Sequence, residues 1–318
     1  MLTKNINFKN FRIKKDRKSI IKKLKAILYE NSQVIQSLKK TYKDNFSIKN
    51  SKLFNKKLDF RIIGMGGSTL GTQAIYNFLK KNIKKKFYFI DNLQAQDNNY
   101  RTKAYNNLII SKSGNTIETI VNSNILIKKK DKNLFLTENK DSYLRKLAQK
   151  LNAEIVDHNN YIGGRYSVLS EVGMLPAELM GLNSKNFRQL NNLVKNKVFM
   201  KALVKNASST IFFLKKKKYN SIIINYDESS LGLFNWYQQL VAESLGKNQK
   251  GLLPIVSSMP KDNHSVMQLY LDGFNNNFFT FFFVKEKNSP KIKNNQILYN
   301  HSYLKNKSVN QIMYAQKN

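Results

Sequence analysis

Three hydroxyl side chains and one lysine lie in a short loop that directly follows a run of aliphatic residues. The hydroxyls belong to Ser111, Ser113 and Thr116, and the charge belongs to Lys112. Because a helical pattern resumes after the loop, unsatisfied backbone N–H groups at the start of that helix could bind an anion such as phosphate. The same hydroxyls could instead cap those N–H groups. The loop alone leaves both interpretations open.

A second loop of small residues, Gly64–Gly71, follows another short apolar run. Its spacing does not fit the dinucleotide-binding fingerprint, which requires glycine where this chain has Thr69. Gly67 and Ser68 make the loop narrow and add a hydroxyl, which favours a single phosphate or a sugar as its ligand. A tight turn between a strand and a helix remains the alternative.

Three charged side chains further along the chain could take part in proton transfer. Arg165 follows two glycines, and an arginine remains charged and can stabilise an oxyanion. Glu243 lies in the last turn of a predicted helix, where the helix dipole disfavours a carboxylate, so it is either functional or a solvated surface acid. His264 lies in a polar loop and could move protons, although Asp262 or Asn263 could simply cap the next helix.

Short apolar runs that alternate with helix-length segments must position these residues. The runs begin at Phe60, Phe87, Leu108, Leu134 and Ala153. Such alternation predicts an α/β fold with parallel sheets covered by helices on both faces. Ligands of such sheets bind at the carboxyl ends of the strands, which is where both hydroxyl-bearing loops occur.

The same patterns divide the chain into three parts. Residues 1–55 are rich in lysine and have apolar residues at helical spacing, which predicts an N-terminal helical arm. Residues 56–185 form the first predicted domain, which contains the phosphate loop. Residues 186–318 form the second, with a predicted strand at Ser221–Asn225 and a helix at Leu231–Leu245.

Length and composition limit the possible functions. A chain of 318 residues with 41% hydrophobic residues suits two folded domains. The formal net charge of +35 could indicate a nucleic-acid binder, but the lysines are scattered and lack interleaved aromatic residues, so we expect no specific nucleic-acid partner. With no cysteine and three distant histidines, we expect no metal site. No apolar stretch suits a signal peptide or a membrane span, which predicts a cytoplasmic protein without a membrane partner.

Five segments in a fixed order resemble the glucose-6-phosphate isomerase (phosphoglucose isomerase) family, which has a sugar-isomerase (SIS) fold. These segments are Gly64–Gly71, Ser111–Thr119, Gly163–Ser170, Gln239–Lys247 and His264–Gly273. The resemblance implies two three-layer α-β-α sandwich domains of the flavodoxin-like SIS type, with mainly parallel sheets.

The resemblance also implies an aldose-ketose isomerase of glycolysis and gluconeogenesis, which interconverts glucose 6-phosphate and fructose 6-phosphate through a cis-enediol. Glu243 would be the base that moves a proton between C2 and C1, and Arg165 would stabilise the enediolate. His264 would assist ring opening in the site of the neighbouring subunit of a homodimer. No cofactor is implied, and the substrate would be bound by Gly67, Ser68, Ser111, Lys112, Ser113 and Thr116.

One departure concerns the end of the chain. The family continues beyond the region of Ser308–Asn318 into further strands and a helix with a lysine that shares ring opening. Lys317 does not lie in the motif expected for that lysine. We therefore expect a C-terminally shortened second domain. The alternative function is a non-catalytic sugar-phosphate-binding module, or a fragment with impaired turnover.

Overall fold

The computed structural model describes residues 5–11, 18–47, 54, 58–93 and 104–318. The chain divides into two compact units, Met1–Phe212 and Phe213–Asn318. The expected division into an arm over 1–55 and domains over 56–185 and 186–318 stays a prediction. Part of the expected arm lies outside the described residues.

The first unit contains a five-stranded sheet in which every neighbouring pair of strands is parallel. Its strands are β1 (Phe60–Gly64), β2 (Phe87–Ile90), β3 (Asn106–Ile110), β4 (Lys132–Thr137) and β5 (Glu154–Asp157). Their order in the sheet is β2-β1-β3-β4-β5. The described helices that begin in this unit are α1 (Lys18–Tyr29), α2 (Gln33–Ser37), α3 (Leu70–Leu79), α4 (Ile117–Leu126), α5 (Tyr143–Lys150), α6 (Glu171–Leu179), α7 (Leu190–Lys195) and α8 (Lys197–Lys215).

Alternate residues of the central strands of this sheet fill two separate cores. Ile62 and Leu108 belong to one core, which also takes side chains from α3 and α6. Ile63 and Ile109 belong to the other, which also takes side chains from α4 and α5. A strand buried on both faces favours apolar residues, which explains the short aliphatic runs in these strands. The predicted α/β class, with a parallel sheet between two helical layers, is confirmed in this unit.

The second unit contains a three-stranded parallel sheet in the order β7-β6-β8. Its strands are β6 (Asn220–Asn225), β7 (Leu253–Ser258) and β8 (Asn277–Phe282), and its helices are α9 (Leu231–Leu245), α10 (Met267–Asp272) and α11 (Val309–Lys317). Ile222 and Ile224 of β6 pack against residues of α10 and α11. In the part of the chain that the structure describes, every helix is too short or too polar to span a bilayer.

Candidate active site

The two loops singled out in the sequence leave the first sheet at the same edge. β1 and β3 are parallel neighbours, and Gly64 at the end of β1 pairs with Ile110 at the end of β3. The strand order also reverses direction between β1 and β3, since β2 lies beyond β1 and β4 lies beyond β3. In sheets of this type, the crevice at such a reversal is the usual ligand site.

The hydroxyls of the loop after β3 bond within the loop and do not cap the following helix. The Ser111 and Thr116 hydroxyls share a hydrogen bond of 2.9 Å, and Ser113 Oγ accepts one from the Asn115 N–H at 3.2 Å. Thr116 is the residue that precedes α4, and its side chain makes no hydrogen bond to the helix backbone. The capping interpretation is therefore wrong for Thr116, whereas phosphate binding by this loop stays a prediction.

Gly114 holds this loop against the start of α5. Its φ of +68° favours glycine, and a Cβ here would lie 2.2 Å from Ser142 Oγ. Two backbone N–H groups of α5 bond to the loop, from Tyr143 to Asn115 Oδ1 at 2.9 Å and from Leu144 to Gly114 O at 3.0 Å. The loop is thus fixed by a neighbouring helix as well as by its own hydrogen bonds.

Lys112 is held at the loop by two oxygen groups. Its Nζ donates to Asn160 O at 3.0 Å and lies 3.4 Å from Glu138 Oε1. Glu138 also pairs with Lys140. Burial alone would raise the pKa of Glu138, but Lys140 and Lys112 outweigh burial and hold the pKa below its ordinary value. The sequence reasoning missed Glu138, whose only signal was its position directly after a strand next to β3.

Gly67 and the segment around Arg165 are in direct backbone contact. A Cβ on Gly67 would lie 2.2 Å from the carbonyl carbon of Gly164 and 2.6 Å from the Arg165 nitrogen. Ser167 Oγ donates to Gly164 O at 2.6 Å and to Gly67 O at 3.4 Å. The contact carries Arg165 to the loop after β1, which also contains Ser68. The structure therefore brings Gly67, Ser68 and Arg165 to the sheet edge from which the Ser111 loop also departs.

A buried carboxylate supports the segment that carries Arg165. Glu171, in the first turn of α6, accepts hydrogen bonds from the Asn159 N–H and from the Tyr42 hydroxyl at 3.3 Å. Burial raises its pKa, and the hydrogen bonds that it accepts offset only part of that effect. His158 Nδ1 lies 3.9 Å from Glu171, and burial lowers the pKa of this histidine. These residues come from distant parts of the sequence and were not expected to meet.

The second unit places Glu243 and His264 at opposite ends of one strand. Glu243 is exposed in the last turn of α9, and Gln238 in the same helix donates to Pro254 O, near the start of β7, at 3.0 Å. His264 is exposed at the end of a 3₁₀ turn that follows β7. Because a helix that connects parallel strands runs antiparallel to them, the two residues lie about 20 Å apart along the strand direction. One chain therefore does not join Glu243 and His264 in a single site within this unit.

The cap proposed for the helix after His264 is also absent. The residue before α10 is Val266, and its side chain does not cap the helix. Asp262 instead accepts a hydrogen bond from the Ser258 N–H at 2.8 Å. The polar residues around His264 thus shape the turn after β7.

Within the described residues, no group of three or more histidine, cysteine or acidic side chains is arranged to hold a metal ion.

Comparison with known proteins identifies the family of this chain. A family model described as "Phosphoglucose isomerase" matches residues 6–258. The chain belongs to the phosphoglucose isomerase family. It is 35% identical to the glucose-6-phosphate isomerase of Methanocaldococcus jannaschii over 71% of this chain, and 30% identical to that of Mycoplasmoides gallisepticum over 82% of this chain. The chain spans 60% of the length of the first relative and 68% of the second.

Solved structures support the same fold. A hypothetical protein from Thermus thermophilus superposes with a TM-score of 0.77 at 22% identity, covering 95% of this chain and 78% of that chain. A glucose-6-phosphate isomerase from Chlamydia trachomatis superposes with a TM-score of 0.58 at 18% identity, covering 97% of this chain and 61% of that chain. At these identities the structures show the fold alone, and they confirm the fold class.

The match to the phosphoglucose isomerase family covers most of the predicted site. Residues 6–258 include Glu243, Arg165 and all the residues of the first unit that we expect to bind substrate. His264 lies six positions beyond the matched region, since 264 minus 258 is 6. The role of His264 therefore depends on the sequence motif around it and on its position after β7.

Proposed function

We propose that the chain interconverts glucose 6-phosphate and fructose 6-phosphate as an aldose-ketose isomerase of glycolysis and gluconeogenesis. One observation carries this proposal: two loops leave the first sheet at the same edge. One of them contains three hydroxyls and Lys112 and leads into an uncapped helix, and the other is in backbone contact with Arg165. An uncapped helix start with a lysine beside it suits a phosphate group, and a nearby arginine suits the oxyanion of an enediolate.

The substrate phosphate would bind at the loop after β3. Backbone N–H groups of α4 and the hydroxyls of Ser111, Ser113 and Thr116 would donate to its oxygens, and Lys112 would balance its charge. Gly67 and Ser68 would contact the sugar. This arrangement would fix the sugar relative to Arg165.

Proton transfer between C2 and C1 would then be carried out by Glu243. A carboxylate removes the proton from C2 and returns it to C1, while Arg165 stabilises the negative charge that develops on the oxygen. Transfer between adjacent carbons needs only a base and a cation near the oxygen, so we expect no metal or organic cofactor.

We further propose a cytoplasmic homodimer in which His264 assists ring opening in the site of its neighbour. The distance of about 20 Å between Glu243 and His264 along the strand direction supports this arrangement, because proton transfers in one sugar require groups within hydrogen-bonding reach. Two copies of the chain can supply to one site what a single copy keeps apart.

The test is exchange of the C2 proton of glucose 6-phosphate, and of a C1 proton of fructose 6-phosphate, with solvent deuterium, followed by NMR. We expect exchange with the unmodified chain and none with Glu243→Gln, while both bind the phosphosugar with similar affinity in calorimetry. Glu228→Gln, which neutralises another exposed glutamate of the same unit, is the control and should exchange normally. Binding without exchange by the unmodified chain would indicate a non-catalytic sugar-phosphate-binding module and refute the isomerase.

A further inference from the structure

Glu138 is a carboxylate placed beside a site that we expect to bind an anion. It is the first residue after β4, its side chain is 8% exposed, and its N–H donates to Lys112 O at 3.1 Å. Its two carboxylate oxygens face Lys112 Nζ at 3.4 Å and Lys140 Nζ at 2.5 Å. The loops after β3 and β4 are therefore joined by both main-chain and side-chain contacts.

This position makes Glu138 a competitor for Lys112. An ammonium group has three N–H donors, and Asn160 O and Glu138 already face Lys112 Nζ. A phosphate that approaches the same ammonium finds one remaining donor unless it displaces one of these contacts, and it also meets the negative charge of Glu138. The two lysines keep that carboxylate ionised, because they hold its pKa below the ordinary value. The carboxylate therefore weakens anion binding at the pH at which phosphosugars are dianions.

We propose that Glu138 is a counter-ion that limits how tightly the loop after β3 binds phosphate groups. This inference rests on the proposed function, since it requires that Lys112 contacts the substrate phosphate. Substrate and product carry the same phosphate, so a tighter contact would stabilise both equally and would lower KM without raising kcat. A counter-ion at this point favours release of the product.

The size of the effect follows from the charges. A phosphate bound to Lys112 would place its oxygens about 6 Å from the Glu138 carboxylate. At that distance and at the dielectric of water, removal of the carboxylate charge should increase phosphate affinity about threefold for each negative charge on the phosphate. Glu138→Gln keeps the shape and an acceptor for Lys112 but removes the charge. We expect it to bind inorganic phosphate about tenfold more tightly at pH 8 and low salt, and to have a lower KM for fructose 6-phosphate with no rise in kcat.

Asp141→Asn is the matched control for general electrostatics. Asp141 lies three residues away, its side chain is 77% exposed, and it pairs with Lys146 at 2.9 Å. Its neutralisation should leave phosphate affinity within twofold of the unmodified chain. Glu138→Asp provides a second variant that retains the charge but withdraws it by one methylene, and it should bind phosphate with an intermediate affinity.

Calorimetry with inorganic phosphate separates the possible outcomes. The proposal is supported if Glu138→Gln binds phosphate more tightly than the unmodified chain, if high salt reduces that gain in affinity, and if Asp141→Asn shows no such gain. Equal or weaker phosphate binding by a folded Glu138→Gln or Glu138→Asp variant overturns it and leaves the proposed isomerase intact. If the unmodified chain binds neither phosphate nor fructose 6-phosphate, then the phosphate loop and this inference are both wrong.

Discussion

The contact between Gly67 and the Arg165 segment can be broken by a single methyl group. In Gly67→Ala, the new Cβ would lie 2.2 Å from the carbonyl carbon of Gly164 and 2.6 Å from the Arg165 nitrogen. Carbon atoms in contact are normally about 3.5 Å apart or more, so one segment must move by about 1 Å. The three nearest opposing atoms belong to the backbone, so no side-chain rotation can relieve the overlap with them.

The expected cost is larger for turnover than for stability. Overpacking of this kind costs about 1–3 kcal/mol of the free energy of unfolding. A displacement of about 1 Å at a group that acts in the transition state can cost about 100-fold in rate. Because we assign Arg165 to the enediolate, Gly67→Ala should lower kcat about 100-fold. The displaced sugar contacts of Gly67 and Ser68 should raise KM by a smaller factor, since the phosphate is assigned to another loop.

Steady-state isomerisation of fructose 6-phosphate, with thermal unfolding measured in parallel, tests this reasoning. Gly164→Ala is the matched control, because its Cβ would face the same contact and yet lie 3.9 Å from the nearest atom, Gly67 Cα. Gly163→Ala is a second control, with its nearest contact at 3.5 Å to Tyr166 Cδ2. Both controls should retain kcat within a few-fold. A Gly67→Ala variant with full kcat, or a Gly164→Ala variant that loses as much, would refute the proposed coupling.

Two further predictions concern the supports of the site. Gly114→Ala should lower the melting temperature and weaken phosphate binding, because it combines a φ of +68° with a clash against Ser142. Gly181→Ala is the control, since Gly181 has a φ of +84° but a Cβ there would have no atom within 4 Å. It should lower the melting temperature without changing phosphate binding. Equal phosphate affinity in the two variants would contradict this. Burial raises the pKa of Glu171 in the folded chain above about 4.5, the pKa of the same group in the unfolded chain. The contribution of Glu171 to the free energy of unfolding is therefore fully present below about pH 4.5 and is lost as pH rises through the folded pKa. Relative to the unmodified chain, Glu171→Gln should therefore gain stability in urea unfolding as pH rises from 4 to 8, and a pH-independent difference would exclude this linkage.

The sequence predicted the strands of the first sheet well because their signal is local. A parallel strand buried on both faces is mostly apolar, and the runs that begin near Phe60, Leu108 and Leu134 fit that pattern without reference to distant residues, with Arg61 as an exception. The places where loops leave the sheet follow from the same runs. For this reason the loops of Gly67 and Ser111 could be assigned to one sheet edge before their contacts were known.

Buried charges could not be predicted in the same way, because their partners are remote in sequence. Arg61 lies in the central strand β1 and is fully buried, where it pairs with Asp131 at 3.2 Å and donates to Asn107 at 2.9 Å. Glu171 and its hydrogen-bond partner Tyr42 are 129 positions apart. The stability of a buried charge depends on such partners, which only the folded chain reveals.

The relation between Glu243 and His264 shows how topology changes the meaning of sequence distance. The two residues are only 21 positions apart, since 264 minus 243 is 21. A helix between two parallel strands must return to the end of the sheet from which the first strand began, so its last turn lies far from the loop that follows the second strand. Glu243 occupies that last turn and His264 occupies that loop. The proposed homodimer would allow both residues to act on one sugar, because each site could take Glu243 from one copy of the chain and His264 from the other.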